Sequence, residues 1–143
     1  LNLRLQDVVK IVRRGLESTN SEKAKDHKNV ILTADRKIPM IPLDRDKFEF
    51  AISGIVQYFQ NLSENEVKVH ISASKERGEI WIDISNVSSF YTKHIDPFGP
   101  FLANGIGYLL SLSFATIREH GGSVNTEWDE SKGPRCRIVL PTK

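Results

Sequence analysis

Apolar positions recur along this chain in two alternating rhythms. Leu5, Val8, Val9, Val12 and Leu16 return at helical spacing, with Lys10, Arg13 and Arg14 on or beside the other face. This predicts a first helix over residues 5–17. A polar stretch follows from Ser18 to Lys28, then a strand from Val30 to Thr33 and a turn at Asp35 to Lys37. Pro39 and Pro42 make Ile38 to Leu43 extended, because proline forbids helix and restricts the residue before it. Phe48, Ile52, Ile55, Val56 and Phe59 mark the strongly apolar face of a second helix over residues 46–61. The rhythm then becomes strict alternation, in Val67, Val69, Ile71 and Ala73 and again in Ile80, Ile82 and Ile84, with Arg77 and Gly78 turning between the two strands.

The last third repeats helix then hairpin. Asn104 is a fitting N-cap for a helix over residues 105–120, whose apolar positions are Ile106, Leu109, Leu110, Phe114 and Ile117. Gly121 and Gly122 end it as a glycine C-cap. Val124, Thr126 and Trp128 alternate next, and Cys136, Ile138 and Leu140 alternate on the return strand. The fold class is α/β, a two-layer sandwich with a mixed sheet of about five strands and the helices on one face. Its expected core contains Ile52, Val56, Val69, Ile82, Ile84, Leu110, Phe114, Ile138 and Leu140.

The run GxGxx, amphipathic helix, His120-Gly121-Gly122, strand, KG turn and strand ending in Leu140-Pro141 resembles the ATP-binding (HATPase_c) domain of sensor histidine kinases, in the GHKL superfamily. The resemblance covers nearly all of residues 1–143 as one domain, with the N-terminal helix free to continue into an upstream dimerisation or phosphoacceptor region. It implies a Bergerat-type ATPase fold. It also implies positions for nucleotide contacts, and at those positions this sequence departs from the family.

The family's N box, typically NLxxNAxKY, carries an asparagine that ligates the nucleotide's magnesium. Counted from Asp44, the aspartate before the second helix, Gly54 and Tyr58 stand where the two asparagines should be. The literal NLxxN at Asn61 to Asn65 stands too close to the next strand and reads as a helix terminus and turn. The adenine-binding DxGxG box becomes Asn86-Val87-Ser88-Ser89-Phe90, with a neutral amide for the aspartate and a bulky ring for a glycine. Ile95-Asp96-Pro97-Phe98 resembles the F box, and Gly99 to Asn104 is too short for the family's mobile lid. The glycine box keeps Gly105 and Gly107 but has Leu109 as its third member.

The resemblance therefore implies a degenerate, weakly or non-binding nucleotide site, with Asn86, Gly105 and Gly107 as vestigial contacts and Tyr58, Phe90 and Leu109 filling the vacated space. No catalytic residue, metal ligand or cofactor is expected. ATP and magnesium enter only on the alternative that the domain is an active kinase with unusual nucleotide contacts. A third reading is the non-catalytic half of a histidine phosphotransferase. Expected partners are proteins of a phosphorelay, a response regulator or a kinase-like domain.

Composition narrows the rest. A chain of 143 residues suits one domain with a real core, and a net charge of +2 is too small to argue for nucleic acid. The single Cys136 excludes an internal disulfide and, in its alternating strand, reads as a buried structural thiol. His27, His70, His94 and His120 have no partners at metal-ligand spacing. No apolar run approaches a membrane span, so no membrane insertion of this domain is expected. A cytoplasmic location is expected, with the parent protein free to be membrane-anchored. Starting at Leu1 rather than Met, the chain reads as a fragment.

Overall fold

The computed structural model describes residues 1–20, 30–62, 66–86, 105–129 and 133–142. A five-stranded sheet runs in the order β2 (Val30–Ala34), β4 (Val67–Ser74), β5 (Glu79–Asn86), β7 (Gly133–Pro141), β6 (Ser123–Asp129). β2 pairs with β4 in parallel and the other neighbours are antiparallel, which makes the sheet mixed as expected. The parallel pair is joined through α2 (Arg45–Leu62), since parallel neighbours need a long crossover. α1 (Val8–Asn20) and α3 (Gly105–Glu119) flank it.

Alternation fixes which face of the sheet is covered. Register places Val69, Ile84 and Cys136 in one row across the sheet, and Ile71, Ile82 and Ile138 in the next, all buried. The opposite face carries Lys68, His70, Asp83 and Arg137. There Arg137 donates to both carboxylate oxygens of Asp83, at 2.7 and 3.3 Å, and its guanidinium lies 4.3 Å from the centre of the Trp81 ring.

α2 is the central helix, which is why its apolar surface exceeds one stripe. Phe48, Ile52, Ile55, Val56 and Phe59 are fully buried between the sheet and the neighbouring helices. At ~1.5–3 kcal/mol for each large apolar side chain, this helix supplies a principal share of the core.

Two expectations need correction. The first helix begins at Val8, not Leu5: the Asp7 carboxylate accepts the N–H groups of Val9 and Lys10 at 3.0 and 3.3 Å and caps it there. Residues Arg4–Gln6 instead form β1, antiparallel to β3 (Ile41–Leu43), so Leu5 lies opposite Pro42 and is 65% exposed. Helical spacing matched Leu5 by accident of its three-residue distance from Val8. Phe114 is partly buried rather than enclosed, because Leu110, Ser113 and Ile117 take the inward positions of α3. The other expected core residues are buried.

Candidate functional site

The positions that the resemblance assigns to a nucleotide lie on α2, at the end of β5 and at the start of α3. Asp44 sets the beginning of α2. Its Oδ1 accepts the Lys47 N–H at 3.2 Å, its carbonyl accepts the Phe48 N–H at 2.8 Å, and its Oδ2 accepts the Asn2 N–H at 3.0 Å. These donors, that of Asn2 foremost and then that of Lys47, hold its carboxyl below the ordinary 3.8. Its own N–H donates to His120 Nε2 at 3.1 Å. The His120 ring must then carry its proton on Nδ1, which donates to the Thr116 carbonyl at 2.8 Å. Packed edge-on against Phe48, with ring centres 5.5 Å apart, His120 is a structural tie between α2 and the end of α3.

The residues after His120 explain the HGG pattern. Gly121 adopts φ of +80°, and the N–H groups of Gly121 and Gly122 cap the Arg118 and Ile117 carbonyls at 2.9 and 3.1 Å. A side chain at Gly122 would press on the Val139 carbonyl and on Leu140 Cδ2, each at 2.9 Å.

Midway along α2, Gly54 faces α3. A Cβ there would overlap the Ser113 hydroxyl and lie 3.3 Å from Leu109 Cγ. The two helices thus close on each other where the family's boxes hold an asparagine and a glycine. Leu109 and Ser113 are one turn apart, so both present to the same place. Ser113 is fully buried, and its Oγ has no hydrogen-bond partner among the described residues. One turn beyond Gly54, Tyr58 is 2% exposed, with its ring edge-on to Phe59 at 6.4 Å between centres. Neither glycine nor a phenol on a bulky ring supplies the compact amide oxygen that a magnesium-nucleotide site uses, so these residues do not fit one.

At the end of β5, Asn86 is fully buried and its Nδ2 donates to the Phe59 carbonyl at 2.8 Å. Phe59 is among the last four residues of α2, whose carbonyls lack partners within the helix, and Asn86 satisfies this one. An aspartate could not donate that bond.

Gly105 and Gly107 lie in the first turn of α3. Phe90, the F-box residues Ile95 to Phe98, the short segment Gly99 to Asn104 and the turn at Ser63 to Asn65 lie outside the described residues. Cys136 is buried as expected, and burial, with the nearby Asp83 charge, pushes its thiol up to about 12. Among the described residues no cluster of His, Cys, Asp or Glu could hold a metal ion, and no helix is long and apolar enough to cross a membrane.

Sequence reasoning missed Ser113 and the Phe59 carbonyl as parts of this site. A serine one turn after Leu109 on an apolar face was the available signal for the first. The second is a backbone group, invisible in a side-chain pattern.

No family model and no curated protein matches the chain. Solved structures do. The catalytic domain of histidine kinase ThkA superposes with a TM-score of 0.73 at 19% identity, covering 99% of this chain and 97% of that one. Mycobacterial sensor histidine kinase MprB gives 0.74 at 17% identity, covering 99% and 98%. Full-length ShkA, solved in complex with AMPPNP, gives 0.76 at 16% identity; 99% of this chain aligns with 31% of ShkA. The fold of this chain is therefore that of the histidine kinase catalytic domain.

Proposed function

We propose that this is a degenerate ATP-binding domain of a histidine kinase-like protein, kept as a regulatory or interaction module in two-component or phosphorelay signalling. On this reading it binds ATP weakly or not at all, and its partners are a response regulator or another kinase-like domain. The observation that carries the reading is the contact of α2 with α3 at Gly54 and Leu109, one a position of the family's N box and the other of its glycine box. Supporting it, Tyr58 is buried, and Asn86 is buried with an amide N–H donated to the Phe59 carbonyl. A domain freed from binding nucleotide keeps its core and a protein-binding surface while the old contacts are replaced by packing.

The test is restoration. Tyr58→Asn returns the magnesium-ligating amide type to α2 but leaves Gly54, Leu109 and Asn86 in place. It should lower stability by about 2–4 kcal/mol, as for loss of a buried aromatic. It should gain no stabilisation from magnesium-ATP. A Tyr58→Asn variant that binds magnesium-ATP tightly would instead support an active kinase domain.

A further inference from the structure

At the turn end of the β4–β5 hairpin, about 23 Å along β5 from Asn86 at ~3.3 Å per residue, the surface opens into a cavity of about 950 Å³. Its floor is apolar, with Ile38, Ala73 and Pro141. Its rim carries Arg36, Lys37, Lys75 and Arg77 against two carboxylates, Glu76 and Glu79. The lining holds two more cations than carboxylates.

Those four cations have no ion-pair partner among the described residues, whereas Arg14, Arg45, Arg135 and Arg137 each face a carboxylate. Glu79 is engaged, accepting the Trp81 Nε1–H at 3.0 Å, and Asp35 beside the rim faces His70 at 3.5 Å. Arg77 lies 5.8 Å from the Trp81 ring centre, which orients a guanidinium without neutralising it. Like charges gathered around an apolar floor repel one another, and an anionic occupant relieves that repulsion.

We propose that this cavity is a docking site for an acidic segment of a partner protein, its carboxylates on the rim and an intervening apolar side chain on the floor. Concavity favours an extended segment over a flat anionic membrane. The lining lacks aromatic side chains on which bases would stack, which disfavours single-stranded nucleic acid. The site rests on charge and shape alone and is independent of whether the domain binds nucleotide.

The experiment titrates the domain into a fluorescein-labelled dodecapeptide of alternating Glu and Leu, followed by anisotropy, with an alternating Gln and Leu peptide as control. Expected is a Kd of roughly 10–100 µM for the acidic peptide, weakened at least about tenfold by Lys75→Glu with Arg77→Glu. Raising salt from about 0.05 to about 0.5 M should weaken binding as well, by screening. Lys37→Glu, in the exposed segment after β2, is the second variant if the hairpin pair fails to fold, and it should weaken binding severalfold. Amide shifts on titration should fall in residues 36–38, 73–79 and 142. Equal binding of the Gln peptide, unchanged affinity in the charge-reversed variants, or shifts elsewhere would overturn the proposal. Tighter binding of a mixed-sequence RNA or of phosphatidylserine vesicles through the same residues would do so too.

Discussion

Asn86 Nδ2 donates to the Phe59 carbonyl at 2.8 Å, joining the buried end of β5 to the last turn of α2. This bond makes the amide here a requirement of the fold. Asn86→Asp, which restores the family's residue, would set a carboxylate oxygen against a carbonyl oxygen in a site closed to water. The expected outcome is a loss of about 1–3 kcal/mol in urea denaturation, with no gain in nucleotide binding. Unchanged stability would show that the bond is dispensable.

The seam between Gly54 and Ser113 calls for a double-mutant cycle. Gly54→Ala should cost about 1–3 kcal/mol through overpacking, more than the ~1 kcal/mol that alanine gains over glycine in a helix. Ser113→Ala removes a buried hydroxyl with no partner among the described residues and should be close to neutral. Combined, the two should recover stability, with a coupling of about 0.5–3 kcal/mol. Strict additivity would contradict the close approach of α2 and α3.

Asp44 predicts part of the acid limb of stability. Its carboxyl is lowered in the folded state by the N–H donors of Asn2 and Lys47, so its contribution is present above its ordinary 3.8 and is lost as pH falls through the lower folded value. Asp44→Asn should flatten the decline of stability below about pH 4 and leave its slope near neutrality unchanged, in chemical denaturation across pH.

Cys136 predicts the opposite limb. Its thiol is raised from 9.0 to about 12, so it stabilises the fold below 9.0 and that contribution fades as pH rises toward the folded value. A thiol-reactive disulfide reagent at pH 8 should react only as fast as the domain unfolds, and Cys136→Ser should abolish the reaction. Rapid stoichiometric reaction of the native domain would refute the burial.

Much of this structure is legible in the sequence because the sheet is covered on one face. Strict alternation in Val67 to Ala73 and in Ile80 to Ile84 fixes both strands and their inward faces, since a one-residue slip would expose the whole apolar set. β1 is not legible. Three residues carry too little period, and Leu5 is exposed in a strand held by backbone pairing with β3. At the candidate site the replaced residue types are legible, but their new roles are not. Gly54 reads only as a missing asparagine until α3 is seen against it, and Asn86 as a weakened adenine acceptor until its Nδ2–H is found donating to the Phe59 carbonyl. Both roles depend on contacts distant in sequence, one of them with a backbone carbonyl.

On the proposed reading, magnesium-ATP has no place between α2 and α3. Isothermal titration calorimetry of the domain with magnesium and a non-hydrolysable ATP analogue tests it most directly. The expected result is no saturable heat below about 1 mM ligand, corresponding to less than about 4 kcal/mol of binding. A stoichiometric isotherm with a micromolar Kd, abolished by Asn86→Ala, would contradict it and establish the domain as a nucleotide binder.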